Sequence, residues 1–327
     1  MICENEMDIT NKLVESNGSK QERDNGSSDY HPFIVKAEDL KEREFFGIGY
    51  EIFWCMKKYE NNIAQYDLKS GIKETYASML QRSIRTALRL KSKKISEDSI
   101  IGICAANHTD SVIPLIAAFF LGYRVVTFDV TQSVTDISYL IQQVTPTIMF
   151  IDEEAVSTME VAMTNSQKYF EFVVFGTSAK YSVMNDYSLR VDGNEEEIFE
   201  PVRTCAKKTA LILFSSGTTG MPKGICLPHS AILYQSYGIS CAMNLSQNSV
   251  LLYFTPLHWI SSPNLFISTI LSGASRVVCT LHDIWRAIDK YKVIITPEGR
   301  KSSLIELKSI GHQINNLRVD IPHSWIQ

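Results

Sequence analysis

Apolar strands alternate with amphipathic helices in the first half of the chain, and this alternation limits the possible folds more than any other feature. The predicted elements are strands at 99–104, 124–128 and 147–151 and helices at 110–121 and 134–144. Ser133 is a suitable N-cap for the second helix. A helix between two strands carries the chain back to the same end of a sheet, so such strands pair in parallel. We therefore predict an α/β fold in which helices cover parallel sheets.

The same pattern continues on both sides of this region. Apolar residues recur at helical spacing over residues 79–90, while Arg82, Arg85 and Arg89 occupy the opposite face. The further predicted elements are strands at 209–214, 250–254, 276–279 and 293–296 and helices at 229–242, 264–271 and 284–291. We interpret the polar, acidic stretch 176–200 as a solvated surface loop.

The first residues differ from the rest of the chain in composition. Residues 1–32 are rich in Asn, Ser, Glu, Asp, Lys and Gly, and we predict a disordered polar tail there. The predicted folded part is 33–327. The longest apolar run, residues 112–123, is too short to span a bilayer, and the chain does not start with a secretory signal. We therefore expect a cytoplasmic protein without a transmembrane segment.

Charge and cysteine usage argue against several classes of function. A net charge of −4 over 327 residues predicts no general attraction to nucleic acid or to anionic membranes. The 7 cysteines are scattered without C-x-x-C pairs, so we interpret them as reduced thiols. The cysteine pattern accordingly predicts neither a disulfide framework nor a zinc site.

The stretch SSGTTGMPKG, residues 215–224, follows a predicted strand and is too polar and glycine-rich to build a core. Glycine permits positive φ, so successive backbone N–H groups can turn toward one anion, and Lys223 adds a positive charge on a flexible stem. The stretch therefore predicts a phosphate-binding loop. Its candidate ligand-binding residues are Ser215, Ser216, Gly217, Thr218, Thr219, Gly220 and Lys223.

Two widespread phosphate loops do not fit this stretch. The Walker pattern requires G-x-x-x-x-G-K-[ST], but Gly217 and Gly220 are too close together, and Lys223 is followed by Gly224. Only half of the dinucleotide pattern G-x-G-x-x-G is present. A surface turn rich in glycine and serine is the alternative interpretation of the stretch.

A third pattern fits the loop. The segment ILFSSGTTGMPK, followed by GICLPHSAI, closely resembles the nucleotide-loop signature of the adenylate-forming family. That family includes acyl-CoA synthetases, 4-coumarate-CoA ligases, beetle luciferases and the adenylation domains of peptide synthetases. Three further segments resemble insect luciferase-like and 4-coumarate-ligase-like synthetases, and the likeness extends over about residues 45–317. These segments are FGIGYEIFWCMKKYENNIAQYD, IIGICAANHTDSVIPLIAAFFLGYRVVTFDV and LLYFTPLHWISSPNLFISTILSGASRVV.

The resemblance implies a chemistry and a set of small-molecule partners. A fatty or aryl carboxylic acid would attack the α-phosphate of ATP, assisted by Mg²⁺, and CoA would then displace AMP to form a thioester. Lys223 would be the catalytic residue, because it and the loop would stabilise the charge of the β- and γ-phosphates. His258 and Trp259 match the family's substrate gate. The alternatives are a hydrogen-bonded structural histidine and a core or interface tryptophan.

The likeness stops before the family's later motifs. Segments of the types YG.TE and Y.TGD, which supply adenine, metal and ribose contacts in the family, do not occur in this sequence. The chain thus resembles an incomplete large N-terminal domain, without the C-terminal domain. An acid–thiol ligase and a non-catalytic remnant, which binds nucleotide, an acyl ligand or a full-length relative, both stay open. Luciferase-like oxidation would need the same absent segments. A peroxisomal location, common among relatives, is the alternative to the cytoplasm, although the C-terminus carries no such signal.

Overall fold

The computed structural model describes residues 45–191, 193–215 and 221–291 of the chain. Within these ranges the strands are β1 (Ile63–Asp67), β2 (Lys73–Thr75), β3 (Ile100–Cys104), β4 (Arg124–Phe128), β5 (Ile148–Asp152), β6 (Glu171–Phe175), β7 (Ser182–Val183), β8 (Thr209–Phe214), β9 (Gly224–Pro228), β10 (Val250–Tyr253) and β11 (Ser275–Val278).

The α-helices of the described ranges separate most of these strands. They are α1 (Ile48–Lys58), α2 (Tyr76–Ser92), α3 (Ile113–Phe120), α4 (Val134–Gln143), α5 (Val156–Ser166), α6 (Met184–Tyr187), α7 (His229–Ala242), α8 (Ser261–Ser272) and α9 (Ile284–Tyr291). None of the helices in this part of the chain is both long enough and apolar enough to cross a bilayer.

A seven-stranded sheet has the order β7-β6-β5-β3-β4-β8-β9. Every neighbouring pair is parallel except β8 and β9, which are antiparallel. Because the chain moves from β3 to β4 on one side and then returns to β5 on the other, helices cover both faces of the sheet. The predicted α/β fold with parallel sheets covered by helices is confirmed.

A second sheet of four strands has the order β10-β11-β1-β2. Strand β11 pairs in parallel with both β10 and β1, whereas β1 and β2 are antiparallel. The register places Gln65 of β1 opposite Arg276 of β11. The four-stranded sheet therefore joins strands from the two ends of the described chain.

Three apolar clusters define the layers of the fold. The largest lies between the two sheets and includes the buried faces of α1, α2, α3, α7 and α8. The second packs α4 and α5 against the other face of the seven-stranded sheet, and the third packs α9 against the four-stranded sheet. Helix α3 is buried at every position, which explains why its sequence is apolar on all sides.

Helices α1 and α3 cross at very short range. A Cβ atom added at Gly49 of α1 would lie 2.0 Å from the carbonyl oxygen of Phe119. Only glycine fits this crossing, because any side chain would push the two helices apart. The apolar segment of α1 is thereby fixed against the helix that leads from β3 to β4.

Most predicted elements agree with the structure in type and position. Strand β4 and helices α7 and α9 have the predicted bounds, while the predicted strand at 293–296 and the predicted tail boundary near residue 33 lie outside the described residues. The side chain of Ser133 accepts the N–H of Asp136, as expected of an N-cap.

The interpretation of residues 176–200 as a solvated loop is wrong for part of that stretch. It contains β7 and α6, and Met184, Tyr187 and Phe199 are buried in the largest apolar cluster. The side chain of Glu196 accepts hydrogen bonds from Nε of Arg85 at 3.0 Å. Polar and acidic residues together dominate this stretch, so its few buried apolar side chains gave no recognisable period.

Candidate functional site

The predicted phosphate loop connects two antiparallel strands, β8 and β9. Phe214 is opposite Gly224 in the register, and the backbone N–H of Ser215 donates to the carbonyl oxygen of Lys223 at 3.0 Å. The N–H of Lys223 in turn donates to the side-chain oxygen of Ser215 at 3.3 Å. The structure thus brings Ser215 and Lys223 together at the two ends of the loop. The other predicted loop residues lie outside the described ranges: Ser216, Gly217, Thr218, Thr219 and Gly220.

The last residue of α4 holds the second end of this loop. The side-chain amide of Gln143 donates to the carbonyl oxygen of Pro222 at 2.9 Å and accepts the N–H of Gly224 at 3.4 Å. This pair of contacts ties the end of the loop to a helix that packs on the seven-stranded sheet. Lys223 itself is exposed, so its ammonium group is accessible to a ligand.

The loop leaves the carboxyl edge of the seven-stranded sheet, where ligands of open α/β sheets usually bind. Strand β8 runs parallel to β4, with Val125 opposite Leu211. At the ends of the two strands the rings of Phe128 and Phe214 are in contact, with centroids 5.5 Å apart. Asp129 therefore follows β4 beside the start of the loop, because neighbouring strands are only about 4.8 Å apart.

His258 reaches the same edge from the other sheet. It lies in the segment 254–260, called the gate segment below, which connects β10 to α8. Its Nε2 is 3.5 Å from a carboxylate oxygen of Asp129. Burial lowers the pKa of His258, and the charge of Asp129 opposes this shift only partly, so the imidazole is neutral at pH 7.

Trp259 lies on the surface of the described region. Its exposed fraction is 53%, so it is no core residue of the described chain. The backbone of the gate segment is a compact turn here: the N–H of Trp259 donates to Pro256 at 3.2 Å, and its carbonyl accepts the N–H of Ser262 at 2.9 Å. The two candidate gate side chains adjoin each other, with ring centroids of His258 and Trp259 separated by 6.1 Å.

His229, within the segment GICLPHSAI, has a structural role. It is fully buried, and its Nδ1 accepts the N–H of Ile48 at 3.2 Å, which satisfies a backbone donor in the first turn of α1. Burial, together with the nearby charge of Lys208, lowers its pKa from 6.5 to about 4. The neutral ring therefore links the start of α7 to the start of α1.

Sequence reasoning missed Asp129 and Gln143 as parts of the site. Asp129 is the first polar residue after a buried parallel strand, and this position was the available signal. Gln143 lies near the end of the predicted helix 134–144 and gave no signal, because its contact with the loop depends on the antiparallel strand β9. No group of three or more His, Cys, Asp or Glu side chains suited to a metal ion occurs in the described ranges.

Comparison with known proteins agrees with this geometry. Among solved structures, the luciferase-like enzyme from the nonluminescent mealworm Zophobas morio matches with a TM-score of 0.71 and 34% identity, over 76% of this chain and 59% of that chain. Among curated proteins, a 4-chlorobenzoate–CoA ligase from Arthrobacter is 25% identical over 245 residues, which is 72% of this chain and 44% of the ligase.

Luciferin 4-monooxygenase from Photinus pyralis is 25% identical over 190 residues, covering 55% of this chain and 34% of that protein. The chain thus spans less than half the length of these two curated relatives. The model of the AMP-binding enzyme family matches residues 52–297, which is most of the chain. The protein therefore belongs to the family of AMP-binding, adenylate-forming enzymes.

Proposed function

We propose that the chain takes part in the ATP-dependent activation of a carboxylic acid, followed by transfer of the acyl group to CoA. The observation that carries this proposal is the closed loop between Ser215 and Lys223 at the carboxyl edge of the sheet, opposite the gate segment. The arrangement offers a phosphate site and a substrate-facing segment at one edge. Both are needed to hold an acid beside the α-phosphate of ATP.

In the proposed reaction, a carboxylate oxygen forms a bond to the α-phosphorus of ATP, and the bond from that phosphorus to the bridging oxygen breaks. Pyrophosphate leaves with additional negative charge. The ammonium group of Lys223 and the polar groups of residues 215–220 stabilise that charge in the proposal, through electrostatic attraction and hydrogen bonds to the leaving phosphates. The thiolate of CoA then bonds to the acyl carbon, and AMP leaves with the electrons of the acyl–oxygen bond.

Magnesium would enter this site together with ATP. Mg²⁺ in nucleotide sites is bound largely by substrate phosphates and water, with one or two carboxylates from the protein. Asp129 is a candidate for such a carboxylate, because it follows β4, the parallel neighbour of the strand that leads into the loop. Its carboxylate would be one of the protein ligands of Mg²⁺, and the bound ion would supply positive charge that neutralises the phosphates.

The gate segment supports a fatty or aryl acid as the proposed substrate class. Trp259 presents a large aromatic surface that is half exposed, and the neutral His258 beside it adds no charge to repel or trap an apolar acid. The ligase from Arthrobacter has a chlorinated aryl acid in its name, which agrees with an aryl ring as one possible fit. In the proposal Trp259 covers the acid on the side of the nucleotide.

The first test is pyrophosphate binding by the purified chain, with Lys223→Ala as the variant. A hydrogen bond to a charged group is worth about 1.5–3 kcal/mol, so binding should weaken by about tenfold or more. Lys207→Ala is the matched control, because Lys207 is equally exposed and precedes β8 at the opposite edge of the sheet. Equal affinities of the two variants would contradict the assignment of Lys223.

The second test is acid-dependent exchange of pyrophosphate into ATP, with a panel of fatty and aryl acids. Exchange that disappears in Lys223→Ala would support adenylation. The chain could instead bind pyrophosphate normally and show no exchange with any acid of the panel. That result would contradict adenylation by this chain and favour a nucleotide-binding role.

A further inference from the structure

The two sheets are joined directly at their carboxyl edges, beside the gate segment. Asn107 follows β3 of the seven-stranded sheet. Its side-chain amide donates to the carbonyl oxygen of Tyr253 at 2.6 Å and to that of Cys279 at 3.0 Å. Tyr253 is the last residue of β10, and Cys279 directly follows β11. One side chain thus fixes the ends of two strands of the other sheet.

A second contact reaches the middle of the gate segment. The carboxylate of Asp129 faces Nε2 of His258 at 3.5 Å, and its other oxygen accepts the N–H and the hydroxyl of Thr131 at 2.9 Å and 2.8 Å. The remaining ring nitrogen of His258, Nδ1, is buried and has no hydrogen-bond partner in the described structure. Among the described residues, Asp129 supplies the negative charge that faces this ring.

Hydrogen bonds between residues at the two ends of the gate segment join these ends. The hydroxyl of Tyr253 donates to the carbonyl oxygen of Ser262 at 2.7 Å, and the hydroxyl of Ser262 donates to the carbonyl oxygen of Thr255 at 3.0 Å. The start and the end of the segment are thus linked to each other. Asn107 and Asp129 add polar contacts from the seven-stranded sheet, beside the apolar packing of the buried Leu257.

These two residues follow neighbouring parallel strands, and the phosphate loop follows the next strand of the same sheet. The spatial order at this edge is β3, β4, β8, with a spacing of about 4.8 Å per strand. Asn107, Asp129 and Ser215 accordingly lie on one rigid edge. The strand order therefore fixes how far Asn107 and Asp129 lie from Ser215, where the phosphate loop begins.

We propose that Asn107 and Asp129 are positioning residues, which form a two-point clamp that holds His258 and Trp259 in place relative to Ser215, the start of the phosphate loop. The clamp rests on the proposed function, in which the acid lies between these two parts. Its role is to hold the acid near the α-phosphate. Neither side chain needs to touch a reacting atom.

The test is ¹⁹F NMR of the full chain labelled with 5-fluorotryptophan, recorded without ATP or acid. The resonances of Trp259 and Trp54 are assigned by their loss in Trp259→Phe and Trp54→Phe. Asp129→Asn and Asn107→Ala should each shift or broaden the Trp259 resonance and leave that of Trp54, on α1, in place. Asp129→Asn alters a partly exposed side chain, so it keeps the test valid if Asn107→Ala does not fold.

A charge-matched control and a double variant complete the design. Asp98→Asn removes the same charge before β3, where the side chain of Asp98 is 80% exposed, and should not move the Trp259 resonance. In a His258→Gln background, Asp129→Asn should cause no further shift, because the two side chains act as one pair. An unchanged Trp259 resonance in Asp129→Asn, or an equal shift in Asp98→Asn, would overturn the clamp. Because no substrate is present, failure of pyrophosphate exchange would leave this result unaffected.

Discussion

Acidification should destabilise the protein through His229, because this imidazole binds a proton readily only in the unfolded chain. Its Nδ1 accepts the N–H of Ile48, and burial lowers its pKa from 6.5 to about 4. The pKa is thus lower in the folded state than in the unfolded state. The stability that results is fully present above the unfolded value of 6.5 and is lost as the pH falls toward about 4.

Linkage between protonation and folding gives the size of the effect. From about pH 7.5 to about pH 5, His229 alone should lower the free energy of unfolding by about 2 kcal/mol. Urea unfolding followed by circular dichroism at both pH values measures this loss. His229→Asn keeps an acceptor for Ile48 but does not titrate, so its pH dependence should be smaller by the same amount. Its stability should be lower at both pH values, because the ring leaves a cavity. The reasoning is refuted if both proteins lose the same free energy of unfolding on acidification.

Two further perturbations test the packing of α1 and the support of the loop. Gly49→Ala should destabilise the fold by about 1–3 kcal/mol, because the new methyl group meets the backbone at Phe119, whereas Gly238→Ala in α7 has open space and should raise the melting temperature. Similar melting temperatures for these two variants would contradict the close crossing. Gln143→Ala should weaken pyrophosphate binding several-fold with little change in melting temperature, since Gln143 is exposed and its side-chain hydrogen bonds to described residues go to Pro222 and Gly224. Unchanged pyrophosphate binding would show that the loop needs no such support.

Local signals in the sequence predicted much of the fold. Apolar spacing located α7 and α9, and the serine at position 133 marked the start of α4, because these features depend on residues close in sequence. Strand β9 was missed, since its exposed residues and terminal proline do not resemble a buried strand. Because β9 pairs with β8, the two ends of the phosphate loop, Ser215 and Lys223, lie side by side.

Only part of the candidate site was predictable, because several of its contacts join residues that are far apart in the sequence. The residue types of the loop pointed to phosphate, and the resemblance to a family pointed to His258 and Trp259. The contact between His258 and Asp129 depends on how two separate sheets meet, and no local period encodes that arrangement. Asn107 is a similar case, because its two acceptors lie 146 and 172 positions further along the chain.

The pairing of β1 with β11 has a consequence for how the chain is made in the cell. Gln65 and the fully buried Arg276, which hydrogen-bond to each other, are 211 positions apart. At about 5–20 residues per second, a ribosome needs about 10–40 s to synthesise the intervening chain. During that time β1 has emerged without its parallel neighbour, and Arg276 does not yet exist. The four-stranded sheet is thus completed late in translation, and until then the backbone groups on that edge of β1 have no neighbouring strand to pair with.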